Sequence, residues 1–396
     1  MNRLLQAAAA LLCLVLSGTA AAAPFTPATD AEVVEKLPGA GGDPAVRRVE
    51  SLRKQLAAKP EDGALRLDIA RSYFELAMAQ GDPRFVGYAS ATIAPLLPGA
   101  DNNPGYWLLR GLIEQYSHDF AAALASLDRA AKINPKDAEP LSWRSAIFMV
   151  QARYPEALAE CTRLAPLTQP LFAAGCTSYV RAATGQLAPA YQQLEAALAA
   201  AKDADPALRL WARTRLAEMA WRLQRLEQAE AHFREALKLG LTDQFLLAAY
   251  SDFLLQAGRP AEVVKLLAGW ERSDVLLLRL ALAGAAGRHP RASEWAGQLR
   301  ERFQAGAQRK DRLHEQEAAR FELDLEGRPK EAVTLASNNY TIQKEPRDAE
   351  ILMRAAIAAG DAKAAQPALD WLRTSRYQDP RLARLAEQLA AIGARR

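Results

Sequence analysis

The chain alternates between amphipathic runs and short breaks. In "HDFAAALASLDRAAKINP", residues 118–135, a polar pair leads into Phe120, small and apolar residues follow at 123, 127 and 130, and Pro135 stops the run. Apolar positions three and four apart put one stripe along a helix. The opening recurs as "ARYPEA" from 152, "GQLAPA" from 185, "QRLEQA" from 224, "GRPAEV" from 258, "GRHPRA" from 287, "GRPKEA" from 327 and "GDAKAA" from 360. Successive starts lie 34, 33, 39, 34, 29, 40 and 33 residues apart, and a looser copy, "GDPRFVGYA", begins at 81. Self-similarity at this period predicts a solenoid of stacked helical units.

Each hexamer reads as one helix ending and another beginning. Its first residue, glycine or another small or polar one, takes the left-handed conformation that closes a helix. A bulky residue or proline then opens the next helix. Three residues on comes a small residue, where the second helix crosses the first: Ala123, Ala157, Ala190, Ala229, Val263, Ala292, Ala332 and Ala365. On the facing helix a second small residue stands at Gly111, Ser145, Ser178, Ala217 and Ser251. Two small residues at a crossing let the axes close to the short end of the packing range. The same count falls on Leu280, Arg320 and Met353 in the last three units, so there the repeats are irregular or the register slips.

These residues resemble the tetratricopeptide repeat. Residues 104–137 carry its pattern best, with Trp107, Gly111, Asp119, Phe120, Ala123, Leu127, Ala130 and Pro135 at the family's relative positions. The chain is also similar to exported bacterial tetratricopeptide proteins of unassigned role. The resemblance implies an all-α, right-handed helical solenoid that binds proteins. It also implies a concave surface lined by the first helix of each pair. Tail-clamping members of the family hold a carboxylate with lysine, asparagine and arginine on those helices; here the matching positions are mostly apolar or small, so no clamp is expected.

The domain reading is then a signal peptide over 1–22, a Pro/Gly-rich linker over 23–42 and a capping helix over 43–60. About nine helix pairs follow over 62–373, and a last capping helix with its tail over 379–396. The signal rests on Arg3, the apolar run Leu4–Leu16 and small residues at Ala20 and Ala22, which predict cleavage to a mature chain starting at Ala23. An uncleaved anchor is the alternative. Export places the mature chain in the periplasm, where Cys161 and Cys176 are its only cysteines and disulfides persist. They lie on either side of the turn "LAPLTQP" and are expected to pair across a hairpin; two buried thiols are the alternative.

Composition narrows the chemistry. Half of the 396 residues are hydrophobic but only 7% are aromatic, a mix that favours helices. The 50 basic and 46 acidic residues are interspersed, which reads as a solvated helical surface and not as a nucleic-acid stripe. "HEQEA" at 314 lacks the second histidine of a zinc-protease helix, and His118, His232, His289 and His314 are scattered. There is no phosphate loop and no G-x-S-x-G, and the repeats leave no room for a catalytic domain. No enzyme activity, metal or cofactor is expected.

The remaining candidate is the groove. Counting from the repeat starts puts Leu108, Leu112, Tyr116, Met149, Phe172, Tyr179, Trp211, Glu218, Trp221, Phe245 and Asp252 on the concave face. Of these, Tyr116, Met149, Phe172, Tyr179, Trp211, Glu218, Trp221 and Phe245 are the candidate partner-binding residues. The competing reading is that the aromatics are core between repeats. The expected function is an exported scaffold that binds a segment of another protein in the cell envelope. A structural subunit of a membrane-associated complex, or a binder of a small molecule or glycan, are the alternatives.

Overall fold

The computed structural model describes residues 44–309 and 312–394, and from Arg48 onward they form one compact unit. Among the described residues there are twenty α-helices and no strand. Helix α1 (Pro44–Ala58) stands first, and α20 (Pro380–Gly393) stands last. Between them run nine antiparallel pairs. These are α2–α3 (Gly63–Gln80, Arg84–Ile93), α4–α5 (Pro104–Tyr116, Phe120–Ile133) and α6–α7 (Glu139–Val150, Tyr154–Leu164). Then come α8–α9 (Pro170–Ala183, Leu187–Ala200), α10–α11 (Pro206–Arg222, Leu226–Leu237) and α12–α13 (Gln244–Gln256, Pro260–Leu266). The last three are α14–α15 (Asp274–Gly287, Ala292–Gln308), α16–α17 (Glu315–Asp324, Pro329–Tyr340) and α18–α19 (Pro346–Ala359, Gln366–Ser375). This is a tetratricopeptide-type helical solenoid.

The repeated turn has one geometry. His118, Ala152, Gly185, Gln224, Gly258, Arg288, Gly327 and Gly360 all have positive φ, from 52° to 84°. In seven of these turns the next residue's N–H donates to the carbonyl five positions back, as Asp119 does to Glu114 and Asp361 to Ala356. That bond satisfies a helix-end carbonyl which would otherwise be orphaned. Helix starts are closed by side chains: Asp62, Asn103, Asp119, Asp205, Asp243, Ser273 and Asp379 each accept from a first-turn N–H.

The turns also explain where the sequence count drifts. At 287–292 the left-handed residue is Arg288, not Gly287, and α15 starts only at Ala292. The close approach moves to Gly284, where an added Cβ would lie 3.0 Å from the Trp295 ring. Leu280 is simply core. At the Gly327 turn one extra residue is inserted, since Arg328 bonds six back to Glu322. The fully buried small residue there is Ala319, one position before Arg320. At Gly111 the expected contact holds: an added Cβ would sit 2.7 Å from Leu127.

A solenoid unit ordinarily touches only its neighbours. This array also closes on itself. The Gly81 turn of the first pair lies against Gln244 and Ser273, from the sixth and seventh. Val150 accepts from the Lys344 N–H, and the Tyr154 hydroxyl accepts from the Trp371 indole. Gly185 and Leu187 meet Arg376 and Gln378, and Gln256 meets Arg381. The turns of the third to sixth pairs are thus crossed in order by the last part of the chain. Arg381 is correspondingly half-buried on this inner contact.

Candidate functional site

Closure decides what the inner face presents. Leu108 and Leu112 are buried in the core. Tyr116 is half-buried, and burial, with the charges of Asp82 and Asp274, pushes its hydroxyl up to about 12. Met149 packs beside the Cys161–Cys176 cluster. Tyr179 lies under the Arg215 guanidinium, 4.6 Å from the ring centroid, and Arg215 is paired with Glu218 at 2.7 Å. Trp221 is only 8% exposed, covered by Arg381 at 4.1 Å and meeting Phe253 edge-on. Phe245 stands on the surface, 40% exposed.

Trp211 and Trp221 share a helix but not an environment. Trp211 stacks on Phe172 with ring centroids 5.4 Å apart, near the opposite end of α10 from Trp221. The stack is possible because Gly175 has no side chain; a Cβ there would come within 2.2 Å of the indole. Together with Thr168, Gln169, Ala207 and Leu208, the two rings line an open, mostly apolar crevice of about 320 Å³ between α8 and α10.

Farther along, the inner face is charged. Asp252 of α12 holds Arg279 of α14 at 2.6 Å and Arg320 of α16 at 2.7 Å. Arg320 lies 3.6 Å from Asp324, which holds Arg354 of α18 at 2.6 Å. One ladder therefore ties four successive first helices. Burial raises the Asp252 carboxyl, but the two arginines outweigh it and hold it down to about 2. Of this ladder, sequence counting found only Asp252. Arg320 was misplaced onto the helix–helix crossing by the inserted turn residue, and the other partners carry no motif.

A buried polar network joins the second turn to the end of the array. His118 Nδ1 lies 3.3 Å from Gln343 Nε2, which donates to Asn339. Asn339 donates to Asp348, which also accepts from the Glu345 N–H. Burial pulls His118 down to about 4 against the pull of Glu317 and Glu345. Burial and the Glu345 carboxylate push Asp348 up to about 7.

Cys161 of α7 and Cys176 of α8 form a disulfide with Cα atoms 5.6 Å apart, inside the usual range. The Ser145 hydroxyl sits 3.3 and 3.5 Å from the two sulfurs and donates to the Ala157 carbonyl. The small residue at the helix crossing therefore makes room for the bridge.

Among the described residues no three His, Cys, Asp or Glu side chains are grouped to hold a metal, and no helix is long and apolar enough to cross a membrane. The fold and its inner face define the class as an all-helical repeat protein of tetratricopeptide type. No family model matches the chain, and no curated protein matches it in sequence. Among solved structures it is similar to PilW, a widely conserved type IV pilus biogenesis factor, at 21% identity and TM-score 0.38, over 54% of this chain and 98% of PilW. It is similar to yeast Tom70 at 12% identity and TM-score 0.42, over 88% of this chain and 85% of Tom70. It is similar to the P58(IPK) TPR domain at 14% identity and TM-score 0.23, over 88% of this chain and 98% of that domain.

Proposed function

We propose that this protein is an exported, non-enzymatic interaction scaffold of the bacterial cell envelope. In this reading it holds a segment of a partner protein in the crevice between α8 and α10. The observation that carries the reading is the Phe172–Trp211 stack, which leaves two partly buried aromatic rings packed on the core and lining an open crevice. Aromatic anchors of this kind supply much of the energy of protein interfaces. Export is supported by the Cys161–Cys176 bridge, since such bonds persist in oxidising compartments, and by the signal-like stretch 1–22, which lies outside the described residues.

The test is cross-linking in the native cell followed by purification of the full chain, with Trp211→Ala as the paired variant. A stoichiometric protein partner whose recovery drops about tenfold in the variant is expected. Equal recovery from both proteins, or no protein partner at all, would remove the crevice as the binding site.

A further inference from the structure

The segment Arg376–Arg381, "RYQDPR", joins α19 to α20 and runs without helix from 377 to 379. It lies on the array as a bound peptide would. Arg222 stacks its guanidinium 3.7 Å from the Tyr377 ring centroid, and its Nε donates to the Gln378 carbonyl at 3.0 Å. The same guanidinium donates to the Ala182 carbonyl, which fixes it between two repeats. The Gln378 side-chain oxygen accepts from the Leu187 N–H at 2.9 Å. That N–H opens α9, whose N-cap residue Gln186 provides no side-chain acceptor. Gly185 completes the floor: an added Cβ would meet Arg376 Cβ at 3.1 Å. Arg381 then covers Trp221.

These contacts read a sequence and not only a shape. A cation faces the aromatic ring, a fixed donor meets a backbone carbonyl, and an otherwise uncapped helix N–H takes a side-chain oxygen acceptor. The polar contacts are few, and Gln378 itself remains exposed. We infer that the edge formed by Leu187, Trp221, Arg222 and Gln256 is a recognition surface for an extended peptide of the form aromatic–Gln–x–x–Arg, and that this chain's own segment Arg376–Arg381 occupies it in cis. This surface lies at the other end of α8 and α10 from the crevice and does not depend on it.

The experiment measures fluorescence anisotropy of a labelled peptide spanning residues 374–383, titrated with the full-length protein. Wild type, with its edge filled, binds weakly. Tyr377→Ala/Gln378→Ala weakens the internal segment and binds the peptide at least tenfold more tightly, while a scrambled peptide does not bind. Adding Arg222→Ala to that variant abolishes the gain. Equal binding by wild type and the opened chain, no binding by either, or equal binding of the scrambled peptide overturns the inference. If the double variant fails to show a cooperative melt, Gln378→Ala alone replaces it, because that exposed side chain contributes no core packing; the same tighter binding is required of it.

Discussion

The indole N–H of Trp371 donates to the Tyr154 hydroxyl at 2.8 Å, joining residues 217 positions apart. Both side chains are under a tenth exposed, so water cannot replace the bond. Tyr154→Phe therefore strands a buried donor, at a cost of about 1–3 kcal/mol. Changing both residues to Phe costs less than the two single losses added together, because neither partner is then left waiting. Urea denaturation of the four proteins of that cycle checks this; strict additivity would mean that the bond contributes nothing to closure.

Asp252 gives a larger effect. Arg279 is 3% exposed, and among the described residues its guanidinium pairs with no carboxylate but Asp252. Asp252→Ala leaves Arg279 as an uncompensated buried charge beside Arg320, which keeps Asp324, at a cost of about 3–5 kcal/mol. The variant is expected to unfold at much lower urea than wild type at pH 7. A change below 1 kcal/mol would show that water screens the ladder. Because the Asp252 carboxyl is held down to about 2, its contribution is complete above pH 3.8 and disappears as pH falls towards 2.

The repeat was legible in the sequence because each turn has the same backbone requirement. A left-handed residue, a carbonyl bond five back and a small crossing residue leave a mark every 34 residues or so. The mark survives substitution of glycine by His118, Ala152, Gln224 or Arg288, because the bond is made by backbone atoms. Closure left no such mark. Gln343 beside His118, Gln378 beneath Leu187 and Arg381 over Trp221 are pairings set by the summed rotation of many units. No local pattern records that sum. The same gap separates Trp211 from Trp221: ten residues along one helix puts both near one face, and only the returning chain decides which of them is covered.

Reduction of the Cys161–Cys176 bridge is expected to cost about 3 kcal/mol, as a closed loop of this length predicts. The sulfurs sit in the core with Ser145, so Cys161→Ser/Cys176→Ser is expected to lose at least as much as reduction does. Thiol counting on unfolded, unreduced protein should find no reactive thiol from this pair. Two would show that the bridge does not form in the cell.

The pH dependences that His118 and Asp348 give to stability should nearly cancel between pH 4 and 6.5, because the two groups oppose each other over almost the same window. His118 has its proton affinity lowered by folding, from 6.5 to about 4, so its contribution is complete above pH 6.5 and declines as pH falls to 4. Asp348 is raised from 3.8 to about 7, so its contribution is present below pH 3.8 and declines as pH rises to 7. His118→Asn keeps a residue that tolerates the left-handed turn and should unmask the Asp348 contribution, so that stability falls as pH rises towards 7. Asp348→Asn should unmask the His118 contribution, so that stability rises from pH 4 to 6.5. Melting temperatures from pH 4 to 8 decide it, and a profile unchanged by either substitution would place both groups in contact with solvent.

The two tryptophans of α10 separate binding from folding. Trp221 is enclosed by Arg381 and Phe253, so Trp221→Ala opens a cavity and should cost about 3–5 kcal/mol. Trp211 has one face on Phe172 and Gly175 and another on the open crevice, so Trp211→Ala should cost clearly less. Its expected loss is in partner binding, tenfold or more, which corresponds to about 1.4 kcal/mol. Gly175→Ala supplies an independent route to the same end. Its new Cβ would lie 2.2 Å from the indole, so the ring must leave the stack without any aromatic group being deleted. If the ring's position is what a partner reads, Gly175→Ala weakens capture as Trp211→Ala does. Should Trp211→Ala instead match Trp221→Ala in lost stability while capture by the surviving folded protein stays at wild-type strength, the indole is core and the crevice is not the binding site.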